Sequence, residues 1–203
     1  MRSDPGLVPR QAAWAFSAWM AVWVPVILWA NGPQNFLWLC NLAQFLVLYA
    51  LWRGDRLVLS SQAGLVCIVG LAWTTDFLLA LATGGRSATF TAYMFDPALP
   101  LPARAVSLYH VGLPVFMLWV LHRSGYDRRG PWLQCALGAL AVVAGWLLTE
   151  PHRNINWVQA PFAIAQAWLP PPLYVAVLLE LYPVVLYLPG HVLVLAALRR
   201  LRR

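Results

Sequence analysis

The sequence predicts an all-α bundle of about six membrane-spanning helices, one domain over residues 1–203, with both termini in the cytoplasm. Three observations predict it. Hydrophobic residues make up 61% of the chain and charged residues only 10%, against roughly a quarter charged in a soluble domain. Apolar runs near the ~20 residues needed to cross a bilayer follow one another almost end to end. Third, the basic residues sit between those runs and not within them.

The candidate spans are 12–30, 36–52, 57–82, 104–122, 131–149 and 172–198. The first follows Arg2 and Arg10 but is longer than a signal-peptide core, carries Trp14, Trp19, Trp23 and Trp29, and lacks a small-residue cleavage pattern. It reads as a retained span. Breakers separate the rest: Asn31-Gly32-Pro33, Arg53-Gly54-Asp55-Arg56, Gly84-Gly85-Arg86, the Pro-rich 97–102, residues 125–131 and Glu150-Pro151. The apolar piece 162–169 is too short to cross, so it is expected to lie at the interface or to re-enter.

The net charge of +7 comes from fourteen basic residues, all arginine. A nucleic-acid surface is excluded, because they cap apolar spans and do not line an exposed face. With the N-terminus inside, eleven arginines fall on the cytoplasmic side and Arg86, Arg104 and Arg153 outside. That asymmetry favours an even number of spans, and the expected location is the cell's inner (plasma) membrane. Arg199, Arg200, Arg202 and Arg203 then form an anchor near anionic lipid. Cys40, Cys67 and Cys135 each lie in an apolar run, with no spacing that suggests disulfides or zinc. No phosphate-binding glycine loop is present, no cofactor is predicted and no metal site is assigned. A His110–Asp76–Glu180 metal set lacks any supporting motif. The two outer loops, 83–102 and 150–161, are rich in aromatics and amides. They read as lids or binding loops, or as an interfacial aromatic belt.

Polar side chains inside spans are costly in hydrocarbon, so each is a functional candidate. Cys40, Asn41 and Gln44 in the second span, Asp76 in the third, His110 in the fourth and Glu180 in the sixth fall at similar depth in the outer half. Asn41 and Gln44 share a helix face, as do Ser107 and His110. Pro114 and Pro183 are expected to kink their helices and admit water. The expectation is one hydrated outer-leaflet cavity shared by these groups, with Asn156 of the last outer loop among the ligand-binding residues. For His110 the alternative is an interhelical hydrogen bond, and for Asp76 a place at headgroup level.

Asn35-Phe-Leu-Trp-Leu-Cys-Asn-Leu-Ala43, a lone His in a later span, and Asn154-Ile-Asn-Trp followed by Pro172-Leu-Tyr resemble bacterial YwaF-like integral membrane proteins. More remotely they resemble the androgen-induced-protein type of intramembrane hydrolase and acyltransferase. Tyr93-Met-Phe-Asp-Pro, Ser107-Leu-Tyr-His-Val and Gly125-Tyr-Asp-Arg-Arg resemble a further set of bacterial membrane-associated proteins. The hydrolase resemblance implies a nucleophile on an early span and a histidine on a later one. Cys40 takes the first position, where those proteins have Thr or Cys, and His110 the second.

Two function classes follow. In the first, an intramembrane lipid hydrolase or acyltransferase, Cys40 or a water attacks, His110 is the base, Asp76 orients it and Asn41 or Gln44 donates to the oxyanion. The substrate is then an acyl lipid that arrives laterally. In the second, the same cavity serves a non-enzymatic binder or transporter of a lipid or small ligand. A scaffold subunit that contacts protein partners or further copies of itself through its Trp-rich faces is the remaining reading.

Overall fold

A computed structural model describes residues 8–164 and 166–203, so Arg2 lies outside the described residues. Among these the chain is helical, without strands. Helix α1 runs Arg10–Asn31, and α2 runs Leu39–Arg53 after a 3₁₀ turn, Pro33–Leu37. Helix α3 runs Arg56–Ala82, with Asp55 capping its first turn by accepting from the Val58 amide. After the first outer loop come α4, Leu101–Val106, and α5, Tyr109–Ser124. Helix α6 spans Gly130–Leu148. After the second outer loop, α7, Pro171–Tyr182, passes through a π turn at Pro183–Tyr187 into α8, Leu188–Leu201.

Five helices are long and apolar enough to cross a membrane: α1, α3, α4 with α5, α6, and α7 with α8. Helix α2 is shorter, at 15 residues. The expected boundaries move in two places, for a local reason each time. The fourth span begins at Leu101 and breaks at Ser107 and Leu108, which divide it into α4 and α5. The sixth opens into a π turn at Pro183, where the ring removes the N–H of a normal turn. The short apolar piece 162–169 does not form a spanning helix. It contains the end of a single 3₁₀ turn, Pro161–Ala163, and Trp168 is exposed.

Hydrocarbon surrounds both free and packed helices, so burial of apolar area does not hold a bundle together as it does in water. Close packing and interhelical hydrogen bonds do so. Helix α3 is the hub, packed on α2, α5, α6 and α8. Its closest approach to α8 pairs two glycines: a Cβ added to Gly190 would overlap the backbone of Gly64. One apolar cluster joins α1, α2, α3 and α5 around the fully buried Trp23, and a second joins α6 and α7 through Val142, Tyr174 and Leu178.

The two ends of the bundle are tied differently. At the arginine-rich end, Arg56 donates to the Ser124 carbonyl and the Asp127 amide to Ser60 Oγ, at 2.9 Å. At the opposite end, Arg153 donates to the Asn31 carbonyl at 2.7 Å and the Glu150 amide to Gln34 at 3.1 Å. The second outer loop is thereby fastened to the α1–α2 connection.

Candidate functional site: the Cys40–His110 pocket

Cys40 on α2 and His110 on α5 line one small pocket with Val66, Val69, Tyr109, Leu113 and Pro114. Its volume is about 10 Å³, close to the room that one water needs. The rim is open at Cys40, Val69 and Pro114, which are half-buried. Depth explains the meeting. Cys40 lies thirteen residues before Arg53, and His110 thirteen before Arg123. At about 1.5 Å per residue both are some 20 Å from the arginine-rich end.

Proline and glycine seat the histidine. Pro114 has no N–H to give to the carbonyl of residue 110, one turn earlier. Gly70 of α3 closes on that carbonyl, so tightly that an added Cβ would lie 2.5 Å from the His110 oxygen and from Pro114 Cγ. The ring is fixed by three contacts. Its Nδ1 lies 2.9 Å from the Ser107 carbonyl, which can only accept, so Nδ1 carries the proton of the neutral ring. Nε2 is then the basic nitrogen, and it has no hydrogen-bond partner among the described residues. Trp73 of α3 stacks on one side at 5.0 Å and 10°, and Tyr109 stacks at 4.0 Å and 28°.

Cys40 has polar company. The Tyr109 hydroxyl donates to Asn41 Oδ1 at 2.8 Å and interacts with the Cys40 thiol, which itself lies 3.9 Å from Asn41 Oδ1. Asn41 Nδ2 is committed to the Asn35 carbonyl at 2.8 Å. One of the two Nδ2 protons of Asn41 is thus used, and its Oδ1 holds Tyr109 in place.

The other expected residues do not join the pocket. Asp76 was expected to orient His110. It is instead saturated by the first outer loop, accepting from the backbone amides and hydroxyls of both Thr89 and Thr91, with Thr89 Oγ1 at 2.6 Å. Twenty residues from Arg56, or about 30 Å of helix, it lies farther from the arginine-rich end than the pocket does. Glu180 is exposed on the outward face of α7 beside Ala176, Val177, Leu181 and Val184. It too is far from the arginine-rich end, nineteen residues from Arg199. Gln44 is fully buried between α1 and α2, accepting from Trp19 Nε1 at 2.7 Å. Asn156 is a structural staple. Its Oδ1 accepts from the Leu39 amide at the start of α2, its Nδ2 donates to the Leu37 carbonyl, and its backbone is left-handed at φ 53°.

Sequence reasoning missed Tyr109, Trp73 and Tyr93. Tyr109 adjoins His110 and was visible as a polar neighbour. Trp73 and Tyr93 carried no signal beyond an aromatic belt. Yet Trp73 Nε1 donates to the Tyr93 hydroxyl at 2.9 Å. Burial pushes that phenol up to about 12, so it is a neutral hydroxyl.

Among the described residues no group of three or more His, Cys, Asp or Glu is placed to hold a metal ion. Comparison with known proteins returns no matching family, no curated relative and no solved structure.

Proposed function

We propose that this protein is a six-span inner-membrane acyl-lipid hydrolase or acyltransferase whose nucleophile is Cys40 and whose base is His110. The observation that carries the reading is that a thiol and an imidazole from two different helices line one pocket. In this reading His110 Nε2 takes the thiol proton as sulfur attacks the ester carbonyl, forming a C–S bond. The ester C–O bond breaks, and the imidazolium returns the proton to the departing alcohol. Water, or the hydroxyl or amine of an acceptor, then attacks the thioester with His110 again as base, and the thiol is restored. The Tyr109 hydroxyl donates to Asn41 Oδ1 and would have to turn from it to donate to the developing oxyanion. The Ser107 carbonyl holds the tautomer, the task expected of Asp76.

The arginine distribution supports six spans with cytoplasmic termini. Helix α2 together with its leading 3₁₀ turn covers residues 33–53, about 30 Å of rise, which supports the sixth. This placement puts the pocket in the outer half, within lateral reach of acyl chains. The likeness to YwaF-like proteins and their remote hydrolase kin is part of the same proposal.

Purified protein given a panel of acyl esters and thioesters tests it. His110→Ala is expected to lower turnover by about 10²–10⁴-fold while detergent stability falls by no more than ~1 kcal/mol, the scale of one interhelical hydrogen bond. Cys40→Ser separates thiol attack from water attack. The second reading is a non-enzymatic binder of a lipid or small ligand. Absence of turnover by the wild type on every substrate would leave that reading in its place.

A further inference from the structure

The first outer loop, residues 83–100, is joined to the His110 ring by an unbroken set of contacts. Asp76, near the end of α3, accepts from the amides and hydroxyls of Thr89 and Thr91, so both carboxylate oxygens are spent on the loop. Two residues further on, the Tyr93 hydroxyl accepts from Trp73 Nε1 at 2.9 Å. Trp73 is itself sandwiched, with Phe77 stacked at 5.0 Å and 28° and the His110 imidazole at 5.0 Å and 10°. Phe95 of the same loop closes on Phe77 at 5.9 Å. The loop thus reaches the histidine through one indole.

The consequence follows from what else restrains that ring. The bond from Nδ1 to the Ser107 carbonyl fixes one atom and leaves rotation about the hydrogen bond open. A face-to-face stack removes that rotation, because tilting the imidazole would break contact over the whole ring. Two rings supply that restraint, Tyr109 at 4.0 Å and the Trp73 indole at 5.0 Å, and the indole's orientation depends on an acceptor supplied by the loop. A purely structural loop needs none of this. Asp76 alone would hold residues 89–91, with Tyr93 free to face the headgroups as interfacial tyrosines commonly do.

We propose that Trp73 and Tyr93 are positioning residues for His110, and that Asp76 latches the outer loop so that the loop's closure orders the base. The proposal rests on the Cys40–His110 reading of the site and gives that site its regulation. A ligand that lifts the loop at the outer surface disorders the histidine, and one that seats the loop completes it. Asp76, expected to touch His110, acts on it at second hand.

The test uses the full-length protein in lipid nanodiscs, with two readouts that fail separately. The first is the nitrogen spectrum of the His110 imidazole, assigned by its loss in His110→Ala. The wild type is expected to show a rigid Nδ1–H imidazole, and Tyr93→Phe and Asp76→Ala to keep that tautomer but lose ring order, seen as reduced N–H dipolar couplings from motion about the Nδ1 hydrogen bond. Amide exchange at Thr89 and Thr91 monitors the latch in parallel and should quicken about tenfold or more in Asp76→Ala, the scale of losing hydrogen bonds to a charged group. The second readout is turnover. Both variants should lower kcat about tenfold with KM unchanged, as misplacement of a base does.

Absence of turnover in the wild type would sink the hydrolase reading and leave the ring-order measurement intact. Faster exchange in Asp76→Ala beside a wild-type His110 spectrum would overturn the positioning proposal. Should Asp76→Ala fail to fold, Tyr93→Phe removes one oxygen and carries the test: unchanged ring order there overturns the proposal, and reduced ring order upholds it.

Discussion

Two polar regions of this bundle, one in each half, spend their hydrogen-bonding capacity in opposite ways. Nearer the arginine-rich end, polar groups bond across helices. Gln62 of α3 donates to Gln134 of α6 at 2.9 Å, the Tyr126 hydroxyl meets His191 Nδ1 of α8 at 2.5 Å, and Ser60 accepts the Asp127 amide. Gly64 and Gly190 press α3 and α8 together there, and no room is left. In the other half, His110 bonds to a carbonyl three residues back in its own chain, Cys40 has a long contact with its neighbour Asn41 and lies by the Tyr109 hydroxyl, and both face a pocket. A polar side chain in a membrane is glue when its bonds cross between helices. It is a candidate for chemistry when its bonds are local and its remaining capacity faces space.

The comparison can be broken by substitution. The largest expected effect on stability is Gly190→Ala, because the added methyl meets the Gly64 backbone, which cannot rotate aside. Overpacking of this kind costs about 1–3 kcal/mol. Gly112→Ala, on α5 with nothing within 4 Å of its would-be Cβ, should be close to neutral. Thermal unfolding in detergent measures both. Equal losses would mean that the α3–α8 contact is not a tight one.

A smaller effect is expected from Gln134→Leu, which leaves one N–H of the buried Gln62 amide without its partner while the other stays on Ser61. A loss of about 0.6–1.7 kcal/mol is expected, with turnover per folded molecule unchanged. A fall in turnover without a fall in stability would move the boundary between glue and site to include this cluster.

The smallest effect concerns Asp127, in the loop that Ser60 holds. A hydrogen bond from Arg129 holds its carboxyl down at about 2, below the ordinary 3.8. A carboxylate with a depressed folded-state value stabilises the fold above its unfolded value and loses that contribution as pH falls. The advantage of wild type over Asp127→Asn should be complete above about pH 4 and fade towards pH 2. Melting temperatures of the two proteins along that range decide it. A difference that persists at the acid end would show that the pair acts through something other than charge.

Much of the bundle was legible in the order of residues, and the pocket partly so. Cys40 and His110 were both marked by being polar in apolar runs, and the structure places them on one wall. Asp76 and Glu180 were marked by the same rule and placed at the same depth, and neither joins them. The reason is the choice of ruler. Depth counted from the outer loops is loose, because the ends of the spans there blur into 3₁₀ turns and short helices such as α4. Counted from the arginines, Cys40 and His110 fall level with each other and some 10 Å below Asp76 and Glu180. Asn41, Gln44 and Asn156 were read as ligands because amides in apolar surroundings need partners. Asn41 and Asn156 found partners within the protein, at Asn35 and the start of α2, and Gln44 found one for its oxygen, at Trp19, while its Nε2 is buried without one.

The sequence by itself determined that this chain is a helical membrane protein with few polar groups to spend, because hydropathy and charge act residue by residue and need no neighbours. Only the tertiary structure decided which of those groups are already satisfied. A hydrogen bond between residues 76 and 91, or a stack of residue 110 on residue 73, depends on how helices rotate and how loops fold back. Spacing along one helix carries no record of that rotation.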